Sequence, residues 1–305
     1  MKITRILHSI FQLLKNTVHE FIYDNALKFS AALAYYTVFA LAPTLLIIIS
    51  LLGLFFGTEA VQGEIYGQIA DFVGSEAAVQ IQEMIKNIHL YHDSVFASIV
   101  GTVVLLMAAS GIFGEIQDSI NLIWGIRAKP KRGFMKLVVN RLLSFSMIAT
   151  IGFILTVALV LNAIIAVISN RLLIFFPDFT YILFLFNNVL TFICITVLFA
   201  IIFKVLPDAH IRWRYIVVGS IVTAVLFMIG KFVIGYYLSI SNLTTAYGTA
   251  ASIMIIMVWV YYNAIILYFG AEFTQVYTHF IGGEIKPNDY AVFIEQRTIE
   301  SKTPI

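Results

Sequence analysis

The sequence predicts an all-α, polytopic membrane protein with six transmembrane helices and both termini in the cytoplasm. Hydrophobic residues make up 60% of the 305 residues and charged residues only 12%, whereas about 25% of residues are charged in a typical soluble domain. Six apolar stretches are long enough to cross a bilayer, and basic residues collect in the connections on one side. The formal net charge of +2 gives no strong field that would suggest nucleic acid as a partner.

Each predicted span holds the roughly 20 mostly apolar residues that a helix needs to cross about 30 Å of hydrocarbon. The runs lack the short alternating pattern of a membrane β-barrel, so helices are the remaining way to satisfy the backbone in lipid. The spans are Ser30–Phe56, Val95–Gly114, Leu142–Ser169, Tyr181–Phe203, Tyr215–Leu238 and Ala251–Val276.

The distribution of basic residues predicts the orientation. All but three of the 19 lysines and arginines lie in the N-terminal arm, the second and fourth connections and the C-terminal tail. Lys86 and Arg171 lie in the other connections, and Lys231 lies inside the fifth span. Because connections rich in Lys and Arg stay in the cytoplasm, both termini are predicted to be cytoplasmic.

Residues 1–29 are predicted to form a cytoplasmic amphipathic helix. Apolar residues such as Ile10, Leu14 and Val18 recur at helical spacing, and polar residues such as Lys15 recur on the opposite face. This pattern is typical of a helix that lies on the membrane surface. A helix that packs on the loops of the bundle would have the same pattern, and the sequence leaves both readings open.

The six-helix transmembrane domain is expected to occupy residues 30–276, with a structured outer loop at residues 57–94 and a cytoplasmic tail at residues 277–305. The outer loop is long and acidic, and Ser75 is a candidate N-cap for a short amphipathic helix within it. Connections of this length often have a structure or a function of their own. The loop could cap an outward-facing cavity or be a solvated surface loop.

Polar residues inside the spans are candidates for a pathway, because ionisable groups at membrane depth are costly and usually face a cavity or a partner. Lys231, Asn263 and Glu272 could line a polar path between the fifth and sixth helices. Lys231 could instead extend to the outer headgroups. Asn263 could simply form a hydrogen bond between helices.

A second polar group follows the second span. Glu115 and Asp118 share a helical face, and Asn121 extends that face by a turn. The group could belong to an enclosed pathway or to a helix end that emerges into the cytoplasm. Trp124 is expected to anchor this end at the membrane interface.

Two residues are predicted to bend the chain. Pro43 lies in the middle of the first span and removes a backbone hydrogen bond, which predicts a kink. Gly248 lies in a small, polar, uncharged segment between the fifth and sixth spans and is a candidate hinge. Kinks of this kind suit a protein that moves, and they also occur in static bundles.

Four blocks of the sequence resemble the YihY/BrkB family of bacterial inner-membrane proteins, in the order that the family has. They are "DNALKFSAALAYYTVFALAPTLLIIISLLG" (Asp24–Gly53), "GIFGEIQDSINLIWGI" (Gly111–Ile126), "LPDAHIRWRYIVVGSIVTAVLFMIGKFVIGYY" (Leu206–Tyr237) and "AYGTAASIMIIMVWVYYNAIILYFGAEF" (Ala246–Phe273). The resemblance implies a six-helix protein of the bacterial cell (inner) membrane, in a family of uncharacterised function with hints of envelope transport and serum resistance. Some members were labelled ribonuclease BN, a label generally regarded as mistaken.

The motifs of common enzymes are absent from the sequence, which has no P-loop, no GxGxxG after a strand and no HExxH. His89 and His92 are a weak metal signal. No enzymatic activity, cofactor or metal is therefore expected.

The expected function is that of a transporter or permease-like protein for a small solute or an envelope lipid. The alternative is a non-transporting membrane scaffold that binds an envelope partner through the outer loop. Membrane lipids are expected partners, nucleic acid is not, and the sequence leaves room for an oligomer.

Overall fold

The computed structural model describes residues 2–40, 79, 111–128, 180–241 and 251–294, and most of these residues are helical. The helices are α1 (Lys2–Tyr23), α2 (Ala26–Ala40), α3 (residues 111–123), α4 (Thr180–Val205), α5 (Trp213–Ile240) and α6 (Ala251–Phe280). Four short strands are β1 (Ile126–Ala128), β2 (Ala209–His210), β3 (Lys286–Pro287) and β4 (Ala291–Phe293). The prediction of a mostly helical protein is confirmed.

Three of the described helices are long and apolar enough to cross a membrane, over Asn188–Val205, Trp213–Leu238 and Ile253–Phe280. These stretches match the fourth, fifth and sixth predicted spans. Helix α2 covers the beginning of the first span, and α3 continues the end of the second. The third span, Pro43, Gly248 and nearly all of the outer loop lie outside the described residues, so the total of six crossings and the orientation stay predictions.

Helices α5 and α6 pack closely through two matched pairs of small residues. A methyl group at Gly219 would overlap Thr274, and one at Gly270 would overlap Thr223. Each threonine hydroxyl donates to the carbonyl of the glycine four residues earlier in its own helix, at 2.7 Å. The two hydroxyls are therefore satisfied inside the interface, and glycine lets the two backbones approach each other.

Helix α1 lies against α6, where the rings of Phe21 and Phe269 are 5.8 Å apart. Leu13 and Phe21 on this face are buried, whereas Phe11 and Ile22 on the adjoining face are exposed. The helix ends at a turn in which Asn25 has a φ of 58°, a left-handed conformation that asparagine tolerates better than most residues. Helix α1 thus packs on the bundle and also presents an apolar stripe outward.

The chain after α6 folds back and joins two of the connections. Strand β4 pairs antiparallel with β1, which follows α3, and β3 pairs antiparallel with β2, which follows α4. These pairings bring the ends of α3, α4 and α6 and the beginning of α5 to the same end of the bundle. The first part of the predicted tail is therefore a structural element.

Candidate functional site

A carboxyl group lies buried between the packed helices, near the end of α6. Glu272 on α6 has 0% of its side chain exposed, and neither carboxylate oxygen has a hydrogen-bond partner among the described residues. One turn earlier, Tyr268 is also fully buried, and its hydroxyl likewise has no partner in the described part of the chain. Since an unpaired buried charge is costly, acids in such places are functional candidates.

The electrostatic neighbours of Glu272 are two further acids, Asp24 and Glu20, at the end of α1. Burial and the nearby Glu20 raise the pKa of Asp24 to about 6. Glu20 also lines an open pocket of about 490 Å³ between α1 and the end of α6, together with His279 and Gln275. Two acids thus lie near the buried Glu272, and one of them, Glu20, also borders an open pocket.

On another side of α6, a smaller polar group belongs to α3. The Ser119 hydroxyl donates to Glu115 at 3.3 Å, and both residues lie beside the hydroxyl end of Tyr268. Asp118, on the same helix, is exposed. Tyr268 therefore has the Glu115 group beside its hydroxyl end, one turn before Glu272 on α6.

A buried network fixes α3 to the connection between α4 and α5. The Asp208 carboxylate accepts hydrogen bonds from the side-chain amides of Gln117, at 2.9 Å, and Asn121, at 3.0 Å. The backbone N–H of Asp208 donates to the Asn121 side-chain oxygen at 2.8 Å, and its carbonyl accepts from the Asn288 N–H at 2.9 Å. Asp208, Gln117 and Asn121 are all buried. The network holds three segments together at the end of the bundle.

The sequence predicted a path through Lys231, Asn263 and Glu272, and the structure places these residues at two different depths. Glu272 lies nine residues beyond Asn263 on α6, which is about 14 Å along the axis. The Asn263 amide donates to the carbonyl of Trp259 in its own helix at 2.7 Å. Lys231 adjoins Gly230, which faces Tyr262 of α6, so Lys231 lies at the level of Asn263 and away from Glu272.

The remaining residues predicted from the sequence lie in different environments. Asn121 belongs to the Asp208 network and Glu115 to the group near Tyr268, as described above. Pro43 and Gly248 lie outside the described residues. Trp124, expected at the membrane interface, is instead buried, and its indole N–H donates to the carbonyl of Ala271 at 3.1 Å. The exposed tryptophan at this end of the bundle is Trp213, with 56% exposed.

Sequence reasoning missed Asp208, Gln117, Asp24, Glu20 and Tyr268. Asp208 carried a usable signal, because it is an acid directly after a Leu-Pro pair in a connection that is otherwise basic. The other four residues have no comparable signal in the sequence.

The family model described as "Virulence factor BrkB" matches residues 17–292. The chain belongs to the BrkB family. This confirms the resemblance found in the sequence, and the BrkB chain is a membrane protein with apolar helices.

Similar proteins are named "UPF0761 membrane protein". Those of Saccharophagus degradans and Pseudomonas aeruginosa (strain LESB58) are 24% and 28% identical over 85% and 83% of this chain, and the chain covers 58% and 59% of their lengths. A relative from Vibrio vulnificus is 26% identical over 79% of this chain and 74% of its own length. The BrkB chain thus spans less than two thirds of the first two relatives. No solved structure matches it.

Proposed function

We propose that this BrkB-family chain is a six-span, multi-pass transporter of the bacterial inner membrane, with both ends of the chain in the cytoplasm. Its cargo is a small solute or an envelope lipid, and the coupling ion is a proton. It is neither an enzyme nor a nucleic-acid-binding protein, and its partners are the membrane lipids. The chain could act alone or as an oligomer.

The observation that carries this proposal is the burial of Glu272 without a hydrogen-bond partner among the described residues. A carboxyl group that only supported the fold would be expected to have donors around it, because an unpaired one destabilises the folded state. Chains of acidic side chains within membrane bundles typically relay protons. Glu20 and Asp24 lie near Glu272, and Glu20 borders an open pocket, so we assign these three acids the route of the proton.

The test uses the full chain in proteoliposomes with two kinds of probe. Currents on a solid-supported membrane report coupled uptake from pools of amino acids, sugars and organic acids. Dithionite reduction of a fluorescent phosphatidylethanolamine reports lipid movement between leaflets. We expect wild-type vesicles to move at least one probe and Glu272→Gln to slow that movement at least about tenfold, equivalent to about 1.4 kcal/mol in the barrier.

Glu284→Gln is the matched control, because it makes the same chemical change at an exposed side chain. We expect it to transport like the wild type. Glu272→Gln should keep or raise the melting temperature, since it removes an unpaired acid from a buried site. Equal transport by Glu272→Gln and wild type, or no movement of any probe, would contradict the proposal. Loss of a cellular phenotype on deletion of residues 57–94 would then favour the scaffold.

A further inference from the structure

An open pocket of about 360 Å³ lies at the beginning of α5, away from Glu272. Four basic side chains line it, from His210, Arg212, Arg214 and Lys286, together with one acid, Glu284. The residues come from the connection before α5 and from the segment after α6. The pairing of β2 with β3 places these two segments side by side.

The basic side chains of this pocket are largely available to a ligand. Arg212 and Arg214 are exposed and form no ion pair with any described residue. The Arg214 guanidinium donates one hydrogen bond to the Tyr215 hydroxyl, and its other N–H groups face outward from that contact. Lys286 is paired with Glu284 at 3.4 Å, and both of these side chains are mostly exposed. Two guanidinium groups thus give the pocket a net positive charge, and guanidinium is the side-chain group best suited to bind phosphate oxygens in pairs.

The backbone around the pocket also favours the binding of an anion such as phosphate. Helix α5 begins after Arg212 with no side-chain cap. The Tyr215 N–H donates to the Arg212 carbonyl, which leaves the N–H groups of Trp213 and Arg214 for another acceptor. The Arg214 guanidinium lies over the Tyr215 ring, 4.5 Å from its centroid. A methyl group at Gly283 would lie 2.8 Å from the same ring. The loop after α6 therefore closes against Tyr215, and this contact holds the wall of the pocket next to Arg214.

The depth of the pocket matches that of lipid headgroups. The three described helices that could cross a membrane all have an end here, at Val205, Trp213 and Phe280. Trp213 is largely exposed, and the Lys204 ammonium lies 5.8 Å from its ring centroid. Tryptophan and lysine at the end of an apolar helix are typical of the boundary between hydrocarbon and headgroups.

We propose that this pocket is a binding site for a phosphate group, presented by an anionic phospholipid or by a soluble phosphate compound. The site does not depend on the transport route through Glu272. It predicts selectivity for anionic over zwitterionic lipids at one position on the protein, in addition to the general attraction of basic connections to anionic membranes.

Native mass spectrometry of the delipidated full chain can test the site, with phosphatidylglycerol and phosphatidylcholine as probes. We expect the wild type to prefer phosphatidylglycerol and Arg212→Gln/Arg214→Gln to bind it roughly 30-fold more weakly, given the usual contribution of each basic residue near an anionic surface. Lys15→Gln/Lys28→Gln is the matched control. It removes the same charge from exposed positions on α1 and α2 and should bind the lipid as the wild type does.

Inorganic phosphate separates the two sources of the ligand. Displacement of phosphatidylglycerol by millimolar phosphate, lost in the arginine double variant, would identify a site open to soluble phosphates. Failure of phosphate to compete, with the lipid preference still lost in that variant, would identify a headgroup site. Retained preference in the arginine variant, or an equal loss in the lysine control, would overturn the proposal. Arg212→Lys/Arg214→Lys keeps the charge and should retain much of the binding, which separates a lost site from a misfolded protein.

Discussion

Replacing Asp208 by alanine should destabilise the end of the bundle more than any single surface change. The substitution removes the acceptor for two buried side-chain amides, those of Gln117 and Asn121. Both amides would then be buried without their partner. A hydrogen bond to a charged group contributes about 1.5–3 kcal/mol, so the loss of two predicts that the free energy of unfolding falls by roughly 3–6 kcal/mol.

The isosteric change Asp208→Asn should lower the free energy of unfolding less than Asp208→Ala does. Asparagine keeps one oxygen that can accept from either amide, but it directs an NH₂ group at the other donor. We therefore expect about half of the loss caused by alanine. The backbone bonds of residue 208 to Asn121 and Asn288 do not need the carboxylate and should persist in both variants.

Unfolding in mixed micelles, driven by increasing sodium dodecyl sulfate and followed by circular dichroism, measures these differences. Glu284→Ala is the control, because its ion pair with Lys286 is mostly exposed, and such pairs contribute little. A change of less than about 0.5 kcal/mol for Asp208→Ala, or a larger loss for asparagine than for alanine, would refute the reasoning.

Three further changes test the packing and the acids. Gly270→Ala forces a methyl group into Thr223 and should cost about 1–3 kcal/mol in the same assay, whereas Gly235→Ala, where a methyl group meets nothing within 4 Å, should have no cost. Raising the pH from about 4 to above 6 should destabilise the wild type but not Asp24→Asn. Asp24 has a raised pKa, so in the wild type its carboxyl group must ionise in a half-buried site. Parallel pH profiles of melting temperature for the two proteins would contradict this. Trp124→Phe keeps one aromatic ring but removes the five-membered ring that carries the buried N–H donor. The lost hydrogen bond and the space left behind should together lower the free energy of unfolding by at least about 1 kcal/mol, and a gain in stability would contradict this.

The spans at α4, α5 and α6 could be read from the sequence because the signal for them is local. Roughly 20 consecutive apolar residues need lipid as their solvent wherever the rest of the chain lies. The structure extends the three predicted spans by only a few residues at their ends. The partial periodicity of residues 1–29 likewise predicted a helix, and the structure places helix α1 there.

The candidate site could be read only in part. Asn121 was recognised as a polar residue, but its partner Asp208 lies 87 residues away. Glu272 was recognised as an acid near the end of a span. The sequence did not show that Glu20 and Asp24 lie near it. The grouping of Lys231, Asn263 and Glu272 came from their being polar residues inside two consecutive spans, and a path through them stays a prediction.

By itself the sequence determined the membrane as solvent, the positions of the apolar helices α4, α5 and α6, and the family. Only the tertiary structure decided which faces of those helices meet. Helices α5 and α6 are apolar nearly all round, so their residue pattern does not tell a face that packs on protein from a face that meets lipid. The choice depends on close fits such as Gly219 against Thr274 and Gly270 against Thr223. Those fits set the rotation of each helix, and the rotation of α6 turns Glu272 into the bundle.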